Sequence, residues 1–246
     1  MKIECGIMKN LKIIIIASLM LLLCGCGKKS DELVLVTEAG FAPYEFYDNN
    51  EIVGVDIAVG NDIANSMNKK LVVKDVAFDS IISELNSGKG DFAAAGMSIT
   101  EERKKSVDFT IPYVTSNQVV VVKKGSDLTL DSLSDKKISV QLGTTADTYV
   151  SENYPNATII RQKKYLSAAE DVKNNKADCI IMDSLPANEL VQNNSELVIL
   201  DGVLFTDSYG MAVKKGNTEL LNKINEVLEK DIKEGKIDEY TLKYSN

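Results

Sequence analysis

Apolar positions along this chain fall into short runs that alternate with stretches of helical spacing. Leu33-Val34-Leu35-Val36-Thr37, Leu71-Val72-Val73, Phe92-Ala93-Ala94-Ala95 and Val119-Val120-Val121-Val122 predict strands. So do Ile138-Ser139-Val140-Gln141-Leu142, residues 177–182, Val198-Ile199-Leu200 and residues 209–213, with a briefer strand at Ile52-Val53. Between them, residues 56–67 place Val59, Ile63 and Met67 on one helical face, with Asp56 as the expected cap. Asp79 is expected to cap a second helix that carries Ile81, Ile82 and Leu85 inward until Gly88 and Gly90. Ser167-Ala168-Ala169-Glu170 fits a capping box, Pro186 suits a helix first turn, and residues 218–234 form the strongest amphipathic pattern. Strand and helix in alternation predict an α/β layer with a parallel core.

The most informative stretch is residues 91–113. Its strand stops at Gly96, and Ser98, Ile99 and Thr100 lead into a charged helix, Glu101-Glu102-Arg103-Lys104-Lys105, that Thr100 can cap. A strand ending at glycine, followed by hydroxyls and free N–H groups at a helix start, is a place to hold a small anion. Arg103 adds a guanidinium able to grip a carboxylate with two parallel bonds. A hydroxyl before a helix is usually only a cap, and an arginine in its first turn usually only a solvated charge. Against that, Arg103 and Arg161 are the only arginines of a lysine-rich chain. The working hypothesis is that this corner binds the α-carboxylate of a free amino acid.

Gly143-Thr144-Thr145 repeats the plan, a strand end with hydroxyls before a helix over residues 146–153. Asp183 also lies at a strand end beside a helix start, where the local pattern favours a cap over a ligand contact. In the aromatic loop of residues 38–46, Phe41 and Tyr44 either face a ligand or plug the core, and spacing alone favours the plug. Two lobes built on strand, Gly-hydroxyl turn and helix would enclose a crevice at their strand ends.

Composition narrows the chemistry. A net charge of −8 argues against nucleic acid, since neutralising phosphates needs clustered basic residues. The absence of histidine removes imidazole acid–base catalysis, His-activated nucleophiles and His metal ligands, and no cysteine cluster offers a zinc site. Lys9 and Lys12 precede the apolar run of residues 13–23, which ends in Cys24-Gly25-Cys26-Gly27 and predicts a secretory signal over residues 1–25. Leu23-Cys24-Gly25-Cys26 resembles the bacterial lipobox, which implies lipidation of Cys26. Cys24, preceded by bulky Leu23, suits the box less, and Met8 is a plausible alternative start. Residues 26–32 then form a polar tether. Cys179 is the single cysteine beyond the anchor and is expected to be a buried small hydrophobe.

Taken in order, Phe41-Ala42-Pro43-Tyr44-Glu45-Phe46, Gly54-Val55-Asp56, Gly96-Met97-Ser98-Ile99-Thr100-Glu101-Glu102-Arg103, Val107-Asp108-Phe109-Thr110-Ile111-Pro112-Tyr113, Gly143-Thr144-Thr145 and Asp183 resemble the polar amino-acid-binding proteins of ABC importers, solute-binding protein family 3. The resemblance covers residues 33 to the end. It implies a two-lobed, periplasmic-binding-protein-like type II α/β fold, each lobe a mainly parallel sheet flanked by helices, joined by two hinge strands. Placed here, lobe one spans residues 33–114 and 211–246 and lobe two residues 119–206, with Val119-Val122 and the segment before Tyr209 as hinges.

Residue by residue, the resemblance assigns Arg103 to the ligand carboxylate, helped by Ser98 and Thr145. Asp183 and the Gly96 carbonyl would receive the ammonium, and Phe41 and Phe78 would sandwich the ligand body. Glu38 and Gln141 would meet the ligand side chain, and Met97 is counted with the contacts of its motif. Glu38 favours a cationic side chain, whereas Gln141 and Met182 demand none. Expected partners are a free L-amino acid, polar or cationic, the permease subunits of an ABC transporter and the membrane through the lipid anchor. The chain is expected to be a monomer without cofactor or metal on the extracytoplasmic face of the cell membrane. The same fold hosts cyclohexadienyl dehydratase-like enzymes, but the lack of histidine and the presence of both zwitterion-matching residues argue against an enzyme. A ligand-sensing subunit of a signalling system would have to act through a separate partner.

Overall fold

The computed structural model describes residues 31–245, so the expectations for the signal, its cleavage and lipidation at Cys26 lie outside the described residues. Apolar strand β1 (Glu32–Thr37) buries Leu33 and Leu35 in one core cluster and Val36 in another, because both faces of its sheet are covered. It pairs in parallel with β4 (Lys70–Asp75) and β5 (Phe92–Ala93), and β13 (Ala212–Lys214) continues the sheet antiparallel between β5 and β6 (Val107–Phe109). A small hairpin, β2 (Phe46–Asp48) with β3 (Glu51–Val53), stands beside it.

In the second sheet β8 (Lys137–Gln141) lies parallel to both β9 (Thr158–Gln162) and β10 (Cys179–Asp183). β7 (Val114–Lys123) runs antiparallel to β10 and to β11 (Leu197–Ile199). The protein thus has two lobes, each a mixed sheet holding a parallel trio. Helices Val55–Ser66, Ile81–Asn86, Thr218–Glu234 and Lys236–Tyr244 cover the first sheet, and Thr145–Asn153, Tyr165–Lys173 and Ser184–Gln192 the second. Cys179 is buried in a core cluster with Val120 and Ile181, as its apolar surroundings predicted.

The chain passes between the sheets on neighbouring strands. The first half of β7 pairs with β12 (Phe205–Tyr209) in the register Val114↔Tyr209 to Gln118↔Phe205. Residues 119–122 are fully committed to the second sheet, paired with β10. Residues 114–118 are thus the part of β7 that pairs with β12, and the four β-branched residues 119–122 lie in its buried part.

Several caps differ from expectation for one reason, tertiary partners. The helix Val55–Ser66 is capped by Gly54 without a side-chain bond. Asp56 instead turns into the core, accepting from Gly96 N at 3.0 Å and from the Tyr113 hydroxyl at 2.6 Å. Asp79 falls inside a 3-10 turn, Phe78–Ser80, and caps nothing through its side chain. The helix expected at Ser167 begins at Tyr165, with Lys164 at the N-cap position. Thr100 and Thr144 do cap, accepting from Arg103 N at 3.1 Å and Asp147 N at 3.3 Å.

The helix Thr218–Glu234 buries Leu220, Ile224 and Leu228 against the helix Val55–Ser66 and β13. Truncating Ile224, which is wholly inaccessible, to alanine is expected to lower unfolding free energy by about 2–5 kcal/mol. Urea denaturation followed by circular dichroism measures this; an unchanged midpoint would mean that the helix is not part of the cooperative core.

Candidate ligand-binding site

The turns that follow β5 and β8 and the end of β10 open into one cavity. It is narrow and is lined by residues from both lobes. From the first come Glu38, Phe41, Phe78, Gly96, Ser98 and Arg103, and from the second Gln141, Thr145 and Asp183. Nine of the ten contacts assigned by resemblance thus meet there. The tenth, Met97, is elsewhere: its side chain is buried in a core cluster with Val36, Ile81 and Val107.

Arg103 is held by neutral acceptors. One guanidinium nitrogen donates to the Ser98 carbonyl at 2.7 Å and another to the Gly143 carbonyl, across the lobes, at 3.0 Å. Its carbon stands 5.3 Å from the centre of the Phe78 ring, a cation–π geometry. Burial draws its pKa down to about 10, against the attraction of Asp207 and Asp183. Ser98 and Thr145 hydroxyls approach to 3.4 Å, and Thr145 donates to Asp207 at 2.6 Å. The two Gly-hydroxyl turns therefore face each other around one guanidinium.

Asp183 does not act as the cap that its position suggested. It makes no side-chain bond to its own helix. Its carboxylate accepts from the Tyr209 hydroxyl instead. Burial pushes its pKa up to about 6, partly countered by that hydroxyl. Gly96 has φ of +50°, and a Cβ there would lie 2.5 Å from the Phe41 ring, so only glycine lets this strand end approach the aromatic wall. Phe41 stacks on Tyr165 at 5.7 Å and on Tyr44 at 5.8 Å; it both lines the cavity and closes the core behind it.

Glu38 is almost wholly buried, with Gln141 Nε2 at 3.0 Å from one oxygen and Lys164 Nζ 3.1 Å from the other. Burial raises its pKa, and bonding from Gln141 and Lys164 lowers it in part. Met182 lies in the core and lines an outer groove, not this cavity.

A half-buried guanidinium in one lobe, a buried carboxylate in the other and aromatic residues in the same lining suit a small zwitterion. The model of the bacterial extracellular solute-binding proteins, family 3, matches residues 33–246. The chain belongs to this family. It is a binding protein, not an enzyme. It is 31% identical over 224 residues to ABC transporter arginine-binding protein 1 of Escherichia coli, covering 89% of this chain and 92% of the relative. It is 34% identical over 202 residues to the ABC transporter glutamine-binding protein GlnH of Bacillus subtilis, covering 80% and 74% respectively. A solved structure, the amino acid ABC transporter substrate-binding protein AbpA from Streptococcus pneumoniae bound to L-arginine, superposes with a TM-score of 0.83 at 30% identity, covering 87% of this chain and 94% of that one.

Sequence reasoning missed part of this binding protein's cavity. Glu45, Ala95, Thr144 and Tyr165 also line it, and Asp207 and Tyr209 on β12 hold its polar groups. Tyr165 had a usable signal, since it follows the strand ending at Gln162 just as Ser98 and Thr145 follow theirs. Glu45 had none: its carboxyl is buried, and burial, then the charge of Asp56, raises its pKa well above the usual carboxylate range.

The raised Asp183 pKa sets a pH dependence. An acid whose folded pKa lies above its unfolded one lets the native state hold more protons between about pH 4 and 6, so its contribution to stability falls as pH rises through that window. Melting curves of the unliganded protein and of Asp183→Asn should therefore converge near pH 4 and separate toward pH 7, with the variant gaining. Parallel curves across the window would show that Asp183 is not desolvated.

Proposed function

We propose that this protein captures a free amino acid with a cationic or polar side chain outside the cytoplasm and delivers it to an ABC importer. The observation that carries the reading is that Arg103 and Asp183, one from each lobe, line the same cavity without neutralising each other. The α-carboxylate meets Arg103 with Ser98 and Thr145, and the α-ammonium meets Asp183 and the Gly96 carbonyl. Phe41 and Phe78 enclose the carbon chain, and Glu38 and Gln141 receive its far end. Arginine is the best-supported ligand, favoured by the acid at that end and by the arginine-named relatives; glutamine is the second, supported by Gln141 and by the likeness to GlnH.

The proposed lobes are residues 33–114 with 211–246, and residues 119–206. Strands β7 and β12 form the hinge on which they close. Lipidation at Cys26 would tether the protein to the outer membrane face, within reach of its permease.

Arg103→Ala should weaken arginine binding by about 2–5 kcal/mol, because the ligand carboxylate would be buried unpaired. Calorimetry decides: retained affinity in a folded variant rejects the carboxylate assignment. Asp183→Asn should weaken binding of intact amino acids far more than of their deaminated analogues.

A further inference from the structure

Lys164 is not a wall of the cavity, yet it controls the cavity's far end. Its side chain is 43% exposed while that of Glu38 is 2% exposed, and the ion pair between them joins the two lobes. Gln141 fixes the same junction from a second direction, donating both to Glu38 at 3.0 Å and to the Lys163 carbonyl at 2.9 Å. Tyr165, the next residue, lies stacked on Phe41. Residues 163–165 are thereby pinned over the Glu38 carboxylate. Gly40 lies beside this carboxylate, and a Cβ added there would stand 2.9 Å from Oε1.

We propose that Lys164 is a specificity-determining residue: its ammonium occupies Glu38 and so lowers the cleft's preference for cationic side chains over neutral hydrogen-bonding ones. The proposal rests on the amino-acid reading above and assigns the residue that tunes it. A guanidinium that shares Glu38 sits beside the Lys164 ammonium, like charge against like. One that displaces the ammonium must break a half-buried ion pair. A neutral amide donor uses a free lone pair of the carboxylate and meets neither cost.

Cationic ligands are disfavoured by this device and not shut out. The displaced ammonium has an open groove on its other side, lined by Tyr47, Leu166 and Glu189. Asp75 stands close enough there to attract it, already accepting from Ala39 N at 2.8 Å and the Tyr47 hydroxyl at 3.0 Å.

Calorimetric titration of the full chain with arginine and with glutamine gives the ratio of the two affinities. In Lys164→Met, which keeps length and removes charge, the ratio should move toward arginine by about tenfold. Lys164→Arg should restore the wild-type ratio. An unchanged ratio in Lys164→Met, with both ligands still bound, overturns the role of Lys164 and leaves the amino-acid reading standing. A shift of equal size in Lys164→Arg also overturns it, because shape and not charge would then be responsible. Failure of the unaltered protein to bind either amino acid removes the underlying reading and this inference together.

Discussion

Taking a guanidinium and a carboxylate out of water costs several kcal/mol for each ion unless opposite charge or strong hydrogen bonds replace the lost hydration. Asp183 is in that position, and the half-buried Arg103 is partly so. Among the described residues they form no ion pair with each other. The Ser98 and Gly143 carbonyls serve one and the Tyr209 hydroxyl the other, so their direct partners are neutral dipoles, with Asp207 attracting Arg103 from further off. The depressed pKa of Arg103 and the raised pKa of Asp183 express the same deficit in opposite directions. A zwitterion of the right length corrects both at once. In the proposed reading, a ligand that touches both lobes couples its binding to their closure.

The crossing strands are built into that same deficit. β12 contributes Tyr209 to Asp183 and Asp207 to Thr145, while Asp183 itself pairs in register with Gln118 on β7. Backbone bonds from Ile99 to Ser208 and from Gly210 to Met97 then tie the Arg103 turn to β12. Any rotation about the crossing therefore moves the partners of both charges. Asp56 steadies the other side, holding the Gly96 turn through its backbone N–H while Tyr113 bonds the second oxygen. The position that most resembled a helix cap thus serves the site from behind.

Features set by neighbouring residues were legible in the chain. The Gly-hydroxyl turns at Gly96 and Gly143, the cap at Thr100, the amphipathic helix Thr218–Glu234 and the alternation of strands with helices all follow from local chemistry. What was not legible depends on partners distant in sequence. Asp56 and Asp183 look like caps until the core offers them tyrosine hydroxyls. Met97 sits inside the most specific motif, and the alternation of side chains along the extended segment sends it to the opposite face. Ion pairs between lobes leave no local trace at all: nothing near Lys164 hints at a carboxylate more than a hundred residues earlier.

The charge balance of the cavity then narrows what it can hold. Its lining carries three acids, Glu38, Glu45 and Asp183, against one base, Arg103. Burial raises the pKa of Glu45 and so disfavours its charged form. In the proposed reading the carboxylate and ammonium of an amino acid match Arg103 and Asp183, and Glu38 is left over. A cationic side chain would neutralise it from inside the cavity, and Lys164 neutralises it from outside. Those two solutions compete for one carboxylate. The choice between an arginine-like and a glutamine-like ligand therefore turns less on the shape of the aromatic walls than on which cation Glu38 holds when the lobes are closed.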